Sequence, residues 1–372
     1  MEQTEINPLT APDQARAALA GLVAVESYMV RQDGAMVVEG RLLEDAQRVF
    51  RPLRQRLEAV GFTPFLRRTE TGVQLLAVPG VIKRRQPRTL INLLLFLATV
   101  GTVLWSGALN ETQGAFSGPA DLLRGIPFAL TLLGILGTHE MGHFVVGRIR
   151  GAPMSWPYFI PLPPTLGGAL VSLTGTMGAV IVQREPLEDR RTLLEVGIAG
   201  PLAGLAVALP LLFYGLAGST VGPAPDGPYI QEGNSLLYAA AKLIVFGQIL
   251  PGNGLDVQLN TVAWGAWIGL LITMFNLLPV GQLDGGHIAY ALLGRRADYL
   301  AYGVLALCGV MGALFSYQWL FWGVLATLMG IRHPAPFNDV PTLGKGHAAL
   351  AVAGIVLFFL LLMPAPLTPV IR

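Results

Sequence analysis

The hydrophobic rhythm of the chain changes once, near residue 85. Before that point the pattern is short and alternates with charge. Leu42, Ala46, Val49, Leu53, Leu57 and Val60 recur at helical spacing with Arg and Glu between them, which predicts an amphipathic helix closed by Gly61. Phe62–Leu66 and Val73–Val78 predict strands, and Met29–Val38 predicts another. After residue 85 the apolar runs lengthen to spans near 90–108, 125–147, 191–215, 259–280, 299–315, 318–331 and 347–364. A bilayer core about 30 Å thick needs roughly 20 apolar helical residues, so the stretch 235–249 and the span 318–331 are short. The first of these reads as interfacial or partly embedded.

One stretch follows neither rhythm. Between Ala169 and Ile181 the odd positions Val171, Leu173, Met177 and Ile181 are apolar, and Ser172, Thr174 and Thr176 between them are small and polar. Period two is a strand signal, and Pro161, Pro163, Pro164, Gly167 and Gly168 precede it. Backbone of this kind survives at membrane depth only where protein or a wet cavity satisfies its amides. The predicted fold is therefore an all-α polytopic membrane protein of about seven transmembrane helices. It carries a re-entrant β-hairpin or loop, and a small soluble α+β domain precedes it. The division expected is 1–85 and 86–372.

Composition sharpens this division. Only 13% of residues are charged and 53% are hydrophobic, too few charges to cover a soluble protein of this size. Residues 1–88 hold 23 of the 48 charged side chains. Lys83, Arg84, Arg85 and Arg88 abut the first apolar run, where they predict a topology anchor or a lipid-headgroup contact, not a nucleic-acid site. Arg148 and Arg150, Arg184 to Arg191, Arg295 and Arg296, and Arg332 with Lys345 fall on that same side if the spans alternate. The 216–258 loop, with Asp226, Glu232 and Asp256 against Lys242, falls on the other. The expectation is a bacterial plasma-membrane protein with a cytoplasmic N-terminal domain. Met1–Thr10 is polar and acidic, unlike a signal or transit peptide, and the lone Cys308 in an apolar run predicts packing.

The chemistry lies in the second span. His139-Glu140-Met141-Gly142-His143 places two imidazoles one helical turn apart on one face, with a carboxylate beside them. A carboxylate at the bilayer centre costs about 2.5–3.5 kcal/mol, so a mere packing cluster at metal-ligand spacing is a poor alternative. A catalytic zinc takes three protein ligands. The third candidate is Asp284, at the backbone break that Pro279 and Gly281 make, with Gly285 and Gly286 behind it. Glu195 is a rival, although Arg190 and Arg191 beside it predict an interfacial ion pair. His287 is expected to be interfacial rather than a partner of the ligands, and His333 and His347 likewise. Gly200 and Gly204 predict close helix packing.

HExxH in one span and Asn276-Leu-Leu-Pro-Val-Gly-Gln-Leu-Asp-Gly-Gly286 in a later one resemble the site-2 protease family of intramembrane zinc metalloproteases. The wording NLLPVGQLDGGH looks like its EGY-like branch, and the resemblance covers most of 85–365. It implies Zn2+ on His139, His143 and Asp284, Glu140 as the catalytic base, and Asn276 in contact with substrate backbone. It implies transmembrane proteins as substrates and the bilayer as surroundings. Gly281 departs from the proline that many members have. The rivals are a membrane protease using Glu195, and a zinc-binding pseudoprotease or metal transporter without turnover.

Overall fold

The computed structural model describes residues 11–82, 89–115, 117–164, 173–183, 185–225, 227 and 229–370. The Lys83–Arg88 cluster, Met1–Thr10, Arg184, Asp226, Gly167 and Gly168, and Ala169 to Ser172 of the period-two stretch lie outside them.

The N-terminal unit runs α1 (Ala11–Ala18), β1 (Val23–Val30), β2 (Met36–Leu42), α2 (Ala46–Ala59), β3 (Phe62–Arg68) and β4 (Val73–Pro79). Its strands form one antiparallel sheet in the order β1-β2-β4-β3. The expected strand Met29–Val38 is instead the end of β1, a turn, and the start of β2. Gly34, at φ +78°, takes the left-handed conformation that this turn needs. The helix expected from Leu42 begins at Ala46, because Leu42 belongs to β2 and the Asp45 side chain accepts from Gln47 N–H as an N-cap. Val49, Phe50, Leu53 and Leu57 of α2 then pack on Leu66, Leu75 and Ala77 of the sheet.

This core is completed by a residue from far along the chain. Phe337 is fully buried in it, stacked near Phe50 and Phe65, with the Arg54 guanidinium 4.4 Å above its ring. Asn338 donates to Ala46 O, and Arg51 and Arg54 pair with Glu188 and Glu185. The N-terminal unit is thus seated on the segments 185–191 and 335–342.

The helical part follows. It comprises α3 (Thr89–Glu111), a 3-10 turn (Pro119–Gly125), α4 (Ile126–Ile149), β5 (Tyr158–Pro161), β6 (Thr176–Val180), α5 (Arg190–Ala217), β7 (Thr220–Pro223) and β8 (Tyr229–Glu232). Next come α6 (Leu236–Phe246), β9 (Leu255–Gln258), α7 (Thr261–Asn276), α8 (Asp284–Leu293), α9 (Ala297–Leu314), α10 (Gln318–Leu328), α11 (Lys345–Leu361) and β10 (Leu367–Val370). Four described helices are long and apolar enough to cross a membrane: Thr89–Glu111, Pro119–Ile149, Arg190–Ala217 and Asp284–Leu314. Leu236–Phe246, Thr261–Asn276, Gln318–Leu328 and Lys345–Leu361 are shorter apolar helices. This is an integral membrane protein. Helix α4 packs along α5, and α5 along α7 and α8.

Among its described residues, the period-two stretch forms a strand over Thr176–Val180, antiparallel to β5. Helix α3 holds this hairpin in place. Asn92 Nδ2 donates to Trp156 O and Pro157 O, and Asn110 Nδ2 donates to Leu173 O. Thr176 and Gly178 are buried while Met177 is exposed, so the apolar side chain points outward and the polar position inward. That is the reverse of a strand in water, and it suits a lipid exterior.

Candidate active site

Three elements bring the site together. Helix α4 carries His139, Glu140 and His143, all buried. Helix α7 ends at Asn276, and α8 begins at Asp284 after the break. Gly281 is at φ +52°, and a Cβ there would overlap the carbonyl of Gly330. The departure from proline at 281 thus accommodates a close approach of the 330 loop. Asp284 enters the first turn of α8, where the helix N-terminus favours its negative charge.

His139 Nε2 lies 3.1 Å from Asp284 Oδ2, His143 Nε2 lies 3.2 Å from Asp284 Oδ1, and the two Nε2 atoms are 3.2 Å apart. His143 Nδ1–H donates to Val196 O at 2.7 Å, which leaves a lone pair on Nε2, directed at the other two groups. Asn276 Nδ2 stands 3.5 Å from His139 Nε2. The grouped ligand atoms lie within 4.8 Å of one another. Ligands bound about 2.0–2.1 Å from a tetrahedral ion sit about 3.3 Å apart, so the donor set and its spacing suit zinc. A buried lone pair facing a carboxylate calls for a cation between them.

Glycines of α5 form the floor. A Cβ on Gly200 would overlap the His143 ring, and one on Gly204 would stand 3.1 Å from His139 Cβ. The GxxxG pair does serve close packing, but what packs against it is the pair of histidines. A cavity of about 410 Å³ opens over the site, lined by His139, Glu140, His143, Asn276 and Asp284 and walled by Ala179–Gln183 of the hairpin segment.

The Peptidase family M50 profile matches residues 127–314, a stretch that holds all five of these side chains. This chain belongs to peptidase family M50, the site-2 proteases. Within the family it falls in the EGY-like branch. It is 32% identical over 262 residues to the probable zinc metalloprotease EGY2, chloroplastic, of Arabidopsis thaliana, covering 69% of this chain and 45% of that protein. It is 29% identical over 306 residues to the probable zinc metalloprotease EGY1, chloroplastic, of the same plant, covering 74% and 53%. The chain spans about half the length of these relatives. They are chloroplastic, and give the expected bacterial membrane no support. No solved structure matches.

Two other expectations change within this M50 core. Glu195 is ion-paired, but with Arg150 and His347 rather than Arg190 or Arg191. Arg190 pairs with Asp339 and Arg191 donates to Gln47, both reached only through tertiary packing. Glu195 therefore stands apart from the histidine pair. His287 is not merely interfacial: it lines the cavity and contacts His333. His287 closes the NLLPVGQLDGGH motif, one helical turn after Asp284, which is the signal that could have marked it; His333 lies in no motif.

Proposed function

We propose that this chain is an intramembrane zinc endopeptidase that cleaves transmembrane segments of membrane-protein substrates, as in regulated intramembrane proteolysis. The observation that carries the reading is the convergence of His139, His143 and Asp284 beside Glu140 on one cavity wall. The names of the relatives, probable zinc metalloproteases, support it. His139, His143 and Asp284 hold Zn2+, which when bound supplies Lewis-acid activation of water and of the scissile carbonyl. Glu140 has no ligand duty; it takes a proton from the attacking water and passes it to the leaving amine. The Asn276 amide donates to substrate backbone. A transmembrane helix hides its carbonyls in its own hydrogen bonds, so the substrate unwinds locally, and the β6 segment at the cavity wall holds the unwound stretch by strand addition.

The reading includes seven crossings, by α3, α4, α5, α7, α9, α10 and α11, with residues 1–85 as a cytoplasmic domain. An odd number is supported by strand β10, which follows α11 and pairs with β8, which follows α5. Helices α5 and α11 then end on one side. The basic segments around Arg148 and Arg190 lie on the other, beside the N-terminal unit, as the positive-inside rule requires.

The experiment compares membrane proteomes of cells expressing the wild type and Glu140→Gln. Cleaved transmembrane fragments confined to the wild type are expected. Identical fragment profiles would leave a zinc-binding pseudoprotease or a transporter.

A further inference from the structure

The cavity holds a third histidine that the protease reading leaves unused. His287 stands one turn beyond Asp284 on α8 and lines the same cavity as His139, Glu140, His143 and Asn276. Gly197 makes room for it, since a Cβ there would stand 2.7 Å from His287 Cβ. Its Nδ1 lies 2.6 Å from His333 Nε2, with ring centroids 4.8 Å apart and planes crossed at 78°. Its Nε2 makes no hydrogen bond among the described residues, so that nitrogen is the one left for the cavity.

Burial first, and the neighbouring His287 second, push the His333 pKa down to about 2, so this ring is neutral and carries one N–H. With the His333 ring neutral, a contact of 2.6 Å requires one ring to donate to the other. If His333 Nε2–H donates, His287 carries its proton on Nε2 and shows the cavity a donor. If His287 Nδ1–H donates, its Nε2 is a bare acceptor. The two tautomers are therefore coupled, and together they set the polarity of this part of the wall. Glu140 and Asp284 already supply acceptors to the cavity, which favours the donor form of His287.

His333 is held in turn. Its ring packs on Tyr290 at 4.7 Å, the Tyr290 hydroxyl donates to Asp339 at 3.2 Å, and Asp339 accepts from Arg190 at 2.6 Å. Four residues after His333, Phe337 is clasped in the N-terminal core. Leu66 N–H donates to Phe337 O, and Asp339 N–H donates to Leu66 O.

We propose that His287 faces the substrate in the cleavage reaction, and that His333, on the loop clasped by the N-terminal unit, is its positioning residue. The inference rests on the protease reading above. The His287 Nε2–H donates to the scissile carbonyl oxygen as negative charge develops there, beside Asn276.

The test uses the purified 372-residue chain in bicelles with a cleavable transmembrane reporter peptide. Zinc content is measured, together with imidazole 15N shifts; only five histidines need assignment. The variants His287→Ala, His333→Phe and His333→Gln should all bind as much zinc as the wild type. His287→Ala lowers kcat on the order of 10²-fold with KM little changed. His333→Phe lowers kcat on the order of tenfold, and His333→Gln, whose amide can still donate to His287, recovers most of it. In the spectra, His287 shows a protonated Nε2, which His333→Phe converts to a tautomer mixture. A cleaving wild type whose variants cleave equally well overturns the proposal. A wild type that cleaves nothing, like Glu140→Gln, sinks the protease reading and with it the substrate-facing role. His287 shifts unchanged by His333→Phe then overturn the positioning role separately.

Discussion

Gly200 on α5 lies flat against the imidazole of His143 on α4, so closely that a single methyl group would occupy the space of Nε2, Cδ2 and Cε1. The His143 nitrogen that faces Asp284 and His139 is therefore placed as much by a missing side chain as by its own helix. Gly200→Ala should displace that ring and cost about 1–3 kcal/mol of overpacking. Zinc affinity should fall about 10–100-fold, the usual cost of disturbing a ligand's support. Gly204→Ala, where the approach to His139 is looser, should lose less. Metal content of the purified variants by mass spectrometry checks this, and full zinc occupancy of Gly200→Ala would contradict it.

In the proposed mechanism Glu140→Gln removes the base and no ligand. Cleavage should fall by about 10²–10⁴-fold while zinc stays bound. His139→Ala and His143→Ala should lose the metal as well as activity. Equal zinc loss in all three would mean that Glu140 holds the ion.

Asp284 and Glu195 are separated by their partners. Asp284 lies 3.1 and 3.2 Å from the two imidazole nitrogens, while Glu195 is occupied by Arg150 and His347. Asp284→Asn should release zinc. Glu195→Gln should keep it and lower stability by no more than about 1 kcal/mol, because its Arg150 partner is half exposed. The two zinc stoichiometries decide the matter, and the reverse result would make Glu195 the third ligand.

Lys242 is fully buried, 3.7 Å from Glu232 and 4.0 Å from Asp256, with its ammonium over the Tyr238 ring. It ties α6 to β8 and β9. Lys242→Met should destabilise the fold by about 3–5 kcal/mol, because it leaves the buried Glu232 and the partly buried Asp256 without a cation. Adding Glu232→Gln should recover part of that loss. Thermal unfolding in detergent measures both, and a fully stable Lys242→Met would show that the ammonium contributes nothing.

What the sequence alone determined about this protein is what short-range periodicity encodes. An α-helix returns every 3.6 residues, so His139 and His143 share a face wherever α4 lies. Gly61 ends α2, the β6 strand keeps its period of two, and the apolar runs become helices. The resemblance carried Asp284 into the same group, 145 residues from His139. Only the tertiary structure decided the contacts for which one residue has several chemically equal partners. Arg191 stands four residues before Glu195, a spacing that allows a pair, yet packing delivers Arg150 to Glu195 and Gln47 to Arg191. His287 meets His333 across 46 residues, and Phe337 completes a core whose other members nearly all precede residue 80. A charge or a ring carries no record of which distant element will be pressed against it. That choice depends on the total burial of all the elements together, which no local window of sequence contains.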